Sequence, residues 1–411
     1  MKKPELLIPA GNLEKLRTAI LYGADAVYVG VEGLSLRASA SEMSMADLAA
    51  GVNEARAKGI KVYAAANTFS RNSSLDKARK IIPELAAIGV DALIVSEPGM
   101  LRLIKSLAPQ LPVHLSTQAN TANIEAVRFW RDQGVGRIIL ARELNLKEVG
   151  EIANAVPEME LEIFIHGAMC MAYSGRCYLS AFRNRRSANG GDCSQPCRWE
   201  YLLHESTRPN DPLILQEDER YSYLLSSKDL CLIEYLPEVL ASGVTSVKIE
   251  GRMKSAYYVA VVTRTYRQAL DALRQQKEKY KCRIEWIDEL SKISNRGYTT
   301  GFAFAKGKIN ETTSDIKYIQ THEPMGIVLQ YDAVRKSILL GVRNRIQSGD
   351  HVEFLLPEDT IALTINDMTD QKGNKISEAH SGSKIHLYVE HNVPVGAIAR
   401  QQIKSGSKNP E

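Results

Sequence analysis

Gly23-Ala24-Asp25-Ala26-Val27 is a phrase that returns four times, as Gly59-Ile60-Lys61-Val62-Tyr63, Gly89-Val90-Asp91-Ala92-Leu93, Gly134-Val135-Gly136-Arg137-Ile138 and Gly243-Val244-Thr245-Ser246-Val247. Each copy follows an amphipathic stretch, sets Gly where a helix ends in the left-handed region, and then opens an apolar run. The unit reads as helix, cap, short loop, buried strand. Working outward, apolar runs fall at residues 5–10, 25–30, 61–67, 92–98, 113–119, 137–143, 161–167 and 246–251. They are continuously apolar rather than alternating, as parallel strands covered on both faces are. Helical patterns at 12–22, 45–58, 75–88, 123–133 and 145–155 separate them, the last opened by Asn145 with Glu148 three residues on, a capping box.

Eight such strands predict an α/β fold, a (β/α)8 TIM-like barrel over 1–275, closed by a helix over 257–274. A doubly wound open sheet is the rival. No G-x-G-x-x-G follows the first strand, and the count of eight favours the barrel. A segment over 276–322 that opens QQKEKYKCR reads as a linker. From 323 to 403 the period shortens to strand-like runs at 326–331, 338–342, 351–356, 361–365, 385–389 and 397–400, separated by turn residues. They predict a small C-terminal β-barrel, followed by a disordered polar tail over 404–411.

In a barrel of this kind the polar residues that close the strands share one rim, where the chemistry is kept. Those residues are Gly11, Asn12, Asn67, Thr68, Glu97, Thr117, Gln118, Arg142, Glu143, His166, Lys248, Glu250 and Arg252. The alternative is that strand ends are simply where polarity returns.

Between the seventh and eighth strands lies a Cys-rich insert, about 168–232, far longer than the other connections. It opens His166-Gly167-Ala168-Met169-Cys170 and continues with Cys177, Cys193, Cys197 and Cys231, while Cys282 stands apart. Thiols that fill a core, a structural zinc site and an iron–sulfur cluster all remain open. Only Cys193 and Cys197 approach zinc-like spacing, whereas a cluster tolerates irregular intervals. Between His166 and Trp199, Arg176, Arg183, Arg185, Arg186 and Arg198 oppose Asp192 alone, with Tyr178 and Phe182 among them. That composition suits an RNA-facing loop. The stretch from Asn295 to Phe302, NRGYTTGF, extends the basic, aromatic pattern, or packs as an interdomain loop.

Composition narrows the classes. Across 411 residues, 52 Lys and Arg against 48 Asp and Glu exclude a polycation but permit a local basic face. Six cysteines are too few for a disulfide scaffold of this size. No run approaches the roughly 20 apolar residues of a membrane span, and the first residues lack a signal h-region, so a soluble cytoplasmic protein is expected.

Glu162-x-Phe164-x-His166-Gly167-Ala168-Met169-Cys170, then Ser174-Gly175-x-Cys177-x-Leu179-Ser180, resembles the signature of peptidase family U32, the collagenase-like family. Cys193-x-Gln195-Pro196-Cys197-Arg198, Ser227-Lys228-Asp229-Leu230-Cys231 and Lys248-Ile249-Glu250-Gly251-Arg252 resemble its other blocks. A barrel with one small β-domain is most similar to the members that hydroxylate tRNA. The resemblance implies 5-hydroxylation of the wobble uridine in the anticodon loop, a 4Fe–4S cluster, prephenate as co-substrate, and electron-donor or cluster-assembly proteins as partners. It implies Cys170, Cys177, Cys193 and Cys231 as ligands, with Cys197 the alternative fourth.

Within that expectation His166, Glu250 and Lys248 are the catalytic candidates. Arg252, Arg37, Gln118, Arg142, Arg183 and Arg185 are the substrate-binding ones; Arg252, Lys248 and Arg37 suit the two carboxylates of prephenate. Sibling chemistry on a ribosomal RNA cytidine or a quinone precursor, a collagenase-like peptidase, and a non-catalytic RNA-binding cluster protein are the alternatives. No His-Glu-x-x-His or Gly-x-Ser-x-Gly supports proteolysis.

Overall fold

The structure is a computed structural model that describes residues 3–31, 33–35, 43–170, 172–198, 217–218, 221–222, 228–276, 279–304 and 318–403. Eight parallel strands close the expected barrel: β1 (Glu5–Ala10), β2 (Ala26–Gly30), β3 (Lys61–Ala66), β4 (Ala92–Val95), β5 (Val113–Leu115), β6 (Arg137–Ile139), β7 (Glu160–Ala168) and β9 (Ser246–Ile249). Closure is made by β9, which pairs with β1 (Leu6 opposite Val247) and with β7 (Val247 opposite Ile163). The outer helices are α1 (Leu13–Leu21), α2 (Met45–Arg56), α3 (Asn72–Ile88), α4 (Pro98–Leu107), α5 (Ile124–Asp132), α6 (Leu146–Ala155), α8 (Leu236–Ala241) and α9 (Ala256–Gln276).

The glycines of the recurring phrase behave as the pattern requires. Gly23, Gly59, Gly89, Gly134 and Gly243 all have positive φ. At Gly89, φ 81° lets the chain turn out of α3 while its N–H still caps the helix, and four residues later β4 is under way. Helix starts are equally local. The Asn12, Ser44 and Asn123 side chains accept from the third residue onward, and Asn145 with Glu148 forms the expected capping box.

Three differences from the sequence reading bear on the site. The strands expected over 92–98, 113–119 and 137–143 end early, at Val95, Leu115 and Ile139. Residues 98–107 form α4, whose first turn is Pro98; Pro at that position lacks only an N–H that has no helical partner anyway. Within 276–322, read as a linker, the chain forms α10 (Ile284–Ser291), which packs on α9. Inside the Cys-rich insert β8 (Asp229–Cys231) adds antiparallel to the top of β7, with Cys231 opposite His166.

The C-terminal domain is an antiparallel strand-rich unit with its own core of Phe354, Ile338, Leu340 and Ile385. It seats on the barrel through buried polar contacts. Tyr22 Oη donates to the Leu355 carbonyl at 2.7 Å and accepts from Ile398 N at 3.3 Å. Arg400, almost fully buried, pairs with Glu353 and with Glu289 of α10, which also holds Arg264 of α9. Those guanidinium groups outweigh the cost of burial and hold the Glu289 carboxyl down at about 2.

Among the described residues, no helix is long and apolar enough to cross a membrane.

Candidate active site at the barrel mouth

The barrel interior is not the stack of aliphatic side chains that usually fills such a cylinder. Glu162, fully buried on β7, lies 3.1 Å from Lys248 Nζ above it and 3.3 Å from Arg137 below it, and accepts from Ser246 Oγ at 2.8 Å. Burial pushes the Glu162 carboxyl up. Lys248, Arg137, His114 and the Ser246 hydrogen bond outweigh that and hold it below the usual carboxylate range. At the foot of the barrel Arg137 continues the chain to Glu5 at 2.5 Å and Glu160 at 2.7 Å. A ladder of alternating charge therefore runs up the axis and ends, at the strand C-termini, on the Lys248 ammonium.

That ammonium lies 4.4 Å from the centre of the Tyr28 ring, in the floor of a cleft of ≈ 550 Å³ including space open to solvent. Asn67, Ser116, Thr117, Gln118, Arg142, Phe164, Glu250 and Arg252 complete its wall with Lys248. The Arg142 guanidinium stacks 3.9 Å over the Phe164 ring, donates to the Ala168 carbonyl at 2.9 Å and pairs with Glu250 at 3.5 Å. Arg252 packs against Gly30, where an added Cβ would sit 2.7 Å from its guanidinium and push it aside. Two buried atoms of the wall, Gln118 Oε1 and Arg142 Nε, have no hydrogen-bond partner among the described residues. Buried polar atoms are nearly always paired, and these two belong to residues that line the cleft. Three cations thus converge on a space that holds one wall carboxylate, Glu250, since Glu162 is already engaged beneath.

Not every rim candidate arrives there. The Glu97 carboxylate turns back to cap α4, accepting from Gly99 N at 2.8 Å and Met100 N at 2.7 Å. His166, expected as a catalytic group, faces away from the cleft. Between Phe164 and His166, β7 carries one residue more than its partner, since Lys248 pairs with Phe164 but Ile249 with His166. The bulge breaks the alternation that would have aimed His166 inward. Its ring instead sits among Tyr258, Tyr266 and Tyr298, with Nδ1 3.3 Å from Tyr266 Oη. Burial pushes its pKa down to about 4, so it is neutral at pH 7. Arg37 lies outside the described residues. Arg183 and Arg185 are on the outer surface, on and just after α7 (Leu179–Asn184), and do not line the cleft. Glu162, which holds Lys248, and Arg137 beneath it are interior groups that the sequence pattern does not single out; Glu160-x-Glu162-x-Phe164 in an apolar strand is the signal that marks them.

The Cys-rich insert is clamped over this mouth. Ser174, in the left-handed region at φ 45°, gives its hydroxyl to Glu143 at 2.8 Å and lies 3.0 Å from Asn120 Oδ1. Arg176 donates to the Gln118 carbonyl at 3.0 Å, and Phe69 N donates to the Asn189 carbonyl at 3.0 Å. A non-glycine residue held at positive φ costs about 1–3 kcal/mol, so the contacts around Ser174 over-determine this loop.

The thiols do not converge. None of the six cysteines forms a disulfide, and among the described residues no three His, Cys, Asp or Glu side chains lie close enough together to hold a metal. Cys170 is exposed, while the Cys231 sulfur is 3.6 Å from Tyr266 Oη on the His166 side of the wall, where burial pushes its thiol up to about 11. The donor types are those that an iron–sulfur cluster takes.

The fold and site define a (β/α)8 barrel with an anion-receptive mouth, on the face where such barrels keep their chemistry. Sequence comparison goes further: residues 11–313 match Peptidase family U32 and residues 320–400 match the Peptidase family U32 C-terminal domain, so the chain belongs to that family. It is 40% identical over 380 residues to tRNA hydroxylation protein P1 of Bacillus subtilis (strain 168), covering 92% of this chain and 90% of that protein. It is 37% identical over 369 residues to the 23S rRNA 5-hydroxycytidine C2501 synthase of Escherichia coli (strain K12), covering 88% of this chain but 54% of that protein. A third relative, the Collagenase of Porphyromonas gingivalis (strain ATCC BAA-308 / W83), is 34% identical over 309 residues, 72% of this chain and 73% of that protein.

Proposed function

We propose that this chain hydroxylates a pyrimidine base of RNA, and that its substrate is the wobble uridine of tRNA, converted to 5-hydroxyuridine. The observation that carries the reading is the cleft: Arg142, Lys248 and Arg252 around one carboxylate, with orphaned polar atoms in the wall. Two of the relatives described above, covering most of this chain, carry RNA-hydroxylation names. The name of the first relative supports tRNA as the substrate. The overlap with a ribosomal RNA enzyme makes a ribosomal cytidine the second reading.

Replacing C5–H of uridine by C5–OH removes two electrons and one carbon-bound proton, so water alone cannot perform the step and a co-substrate that takes up the electron pair is required. Prephenate, with two carboxylates, is our proposed co-substrate. Arg252 and Lys248 would bind them, Arg252 by the planar fork that matches a carboxylate. Arg142, fixed by Phe164 and the Ala168 carbonyl, would set the ligand's orientation, and Glu250 would accept the proton released at the base. Glu162, directly beneath, holds the Lys248 side chain in place at 3.1 Å. Phe164, beneath Arg142, and Tyr28, beside Lys248, give the cleft an aromatic wall against which a flat base would pack.

A 4Fe–4S cluster, supplied by assembly proteins and served by an electron donor, is a separate part of the proposal. Its ligands would be Cys170, Cys177 and Cys193 with Cys231 or Cys197, and it requires these thiols to be drawn together from the positions described above. Such a cluster would supply redox chemistry at the mouth. Anaerobically purified protein should be brown and contain iron and sulfide, and Cys170→Ala should remove both.

The test of the function is nucleoside mass spectrometry of tRNA from cells with and without the gene. Loss of 5-hydroxyuridine and its derivatives is expected. Unchanged tRNA with altered ribosomal RNA moves the protein to the second reading. A colourless preparation that cleaves gelatin and leaves both RNAs unchanged reverses the reading in favour of a peptidase.

A further inference from the structure

The insert presents a surface that the cleft does not use. Tyr178 and Phe182 are 75% and 72% exposed, among the most exposed large apolar side chains of the described chain, and Tyr173 is 55% exposed nearby. Exposed aromatics scattered singly need no explanation, but these are not scattered. Phe182 N donates to the Tyr178 carbonyl at 2.9 Å, so the two rings stand one helical turn apart on the same face of α7. Arg183 follows directly, and Arg185 at φ 56° ends the helix and swings the chain around it. Arg186 comes next, tied to Asp192 at 2.6 Å. Asp192 is the one acidic residue between His166 and Trp199, against five arginines. The element is anchored at both ends to the barrel rim, by Ser174 to Glu143 and by Asn189 to Phe69.

We infer that the Tyr178–Phe182 face, with Arg183 and Arg185 beside it, is a stacking platform for unpaired RNA bases next to the base that enters the cleft. The inference rests on the RNA reading of the mouth and names what that reading leaves open: how the substrate's single-stranded loop is gripped. Two exposed rings a turn apart offer π-faces to neighbouring bases, and stacking of this kind is indifferent to base identity but needs bases freed from a duplex. The flanking guanidinium groups supply phosphate contacts, which hold the strand without reading it. A paired helix, its bases already stacked on each other, has nothing to give the rings.

The test is binding of a synthetic hairpin RNA with an unpaired loop, compared with a continuous duplex of the same length, by fluorescence anisotropy over a salt series. The wild-type protein should prefer the hairpin. The Tyr178→Ala/Phe182→Ala double variant should lose roughly 10- to 100-fold of hairpin affinity and none of its duplex affinity, as base–aromatic stacking predicts. Tyr178→Phe/Phe182→Tyr, which keeps both rings, should bind like wild type. Arg183→Ser/Arg185→Ser should weaken both RNAs and flatten the salt dependence. An unchanged melting temperature excludes misfolding at these exposed positions. Equal hairpin binding by wild type and the alanine double variant overturns the platform, while tRNA hydroxylation by the same preparations keeps the reading of the cleft alive. A wild-type protein that binds neither RNA and hydroxylates none sinks both.

Discussion

The two ends of the barrel axis use the same residue types to opposite ends. At the foot, Arg137 is enclosed by Glu5, Glu160 and Glu162, and Glu5 also accepts from Tyr63 Oη at 2.9 Å. At the mouth, Arg142, Lys248 and Arg252 surround a cleft, and Gln118 Oε1 and Arg142 Nε are left unanswered. Glu162 joins the two ends. A closed network of buried ions fixes geometry at little net gain in stability, whereas an open one keeps electrostatic capacity for a ligand. The difference is one of completion, not of composition.

The largest effect should come from breaking the joint. Glu162→Ala leaves Lys248 and Arg137 buried without their shared counter-ion, and loss of one partner of such a pair costs about 3–5 kcal/mol, readable by urea unfolding. At the mouth, Arg252→Met keeps the bulk of the side chain and removes its charge. It should depress tRNA hydroxylation by roughly 100-fold or more while stability changes far less, the size expected when a charged hydrogen-bonding group is withdrawn from a bound anion.

Acid should separate the ends by another route. His166 titrates at about 4 and His114, inside the barrel, at about 3, each lowered first by burial. An unfolded histidine binds its proton near 6.5, so the unfolded state takes up protons first as pH falls. The stability these neutral rings contribute is present above about 6.5 and is lost as pH drops through their folded values. For His166 alone the loss is of the order of 3 kcal/mol by pH 4, and a His166→Phe variant should show a shallower decline of melting temperature across that window. The smallest effect belongs to the rim of the foot. Lys61, 56% exposed and 3.6 Å from Glu5, should cost no more than a few tenths of a kcal/mol when changed to Ala.

Much of the scaffold was legible because its signals are local. A Gly after an amphipathic stretch, with an apolar run after it, marks five of the eight barrel strands, and continuous apolar runs alone mark β1, β5 and β7. Their ends were harder. Pro98 looks like the terminus of a strand, yet with Glu97 folded back to cap it the same proline opens α4. The segment 276–322 reads as polar and basic at its start, which hid α10 behind it.

At the site, Arg142, Lys248, Glu250, Arg252 and Gln118 were found because strand C-terminal ends share a rim. His166 was misplaced because a single extra residue in β7 reverses facing, and a bulge leaves no mark in composition or period. Glu162 was passed over because a glutamate in a strand is ordinarily solvated, and only the closed barrel shows the lysine and arginine waiting on either side.

The central claim is that chemistry belongs to the mouth and stability to the foot. The most direct measurement is the 5-hydroxyuridine content of tRNA from gene-deleted cells complemented with Arg252→Met or with Lys61→Ala, at matched protein levels. The account predicts no detectable modified nucleoside with the first and wild-type content with the second. Wild-type content with Arg252→Met would contradict it, because the modification would then proceed without the cation that the cleft was built around.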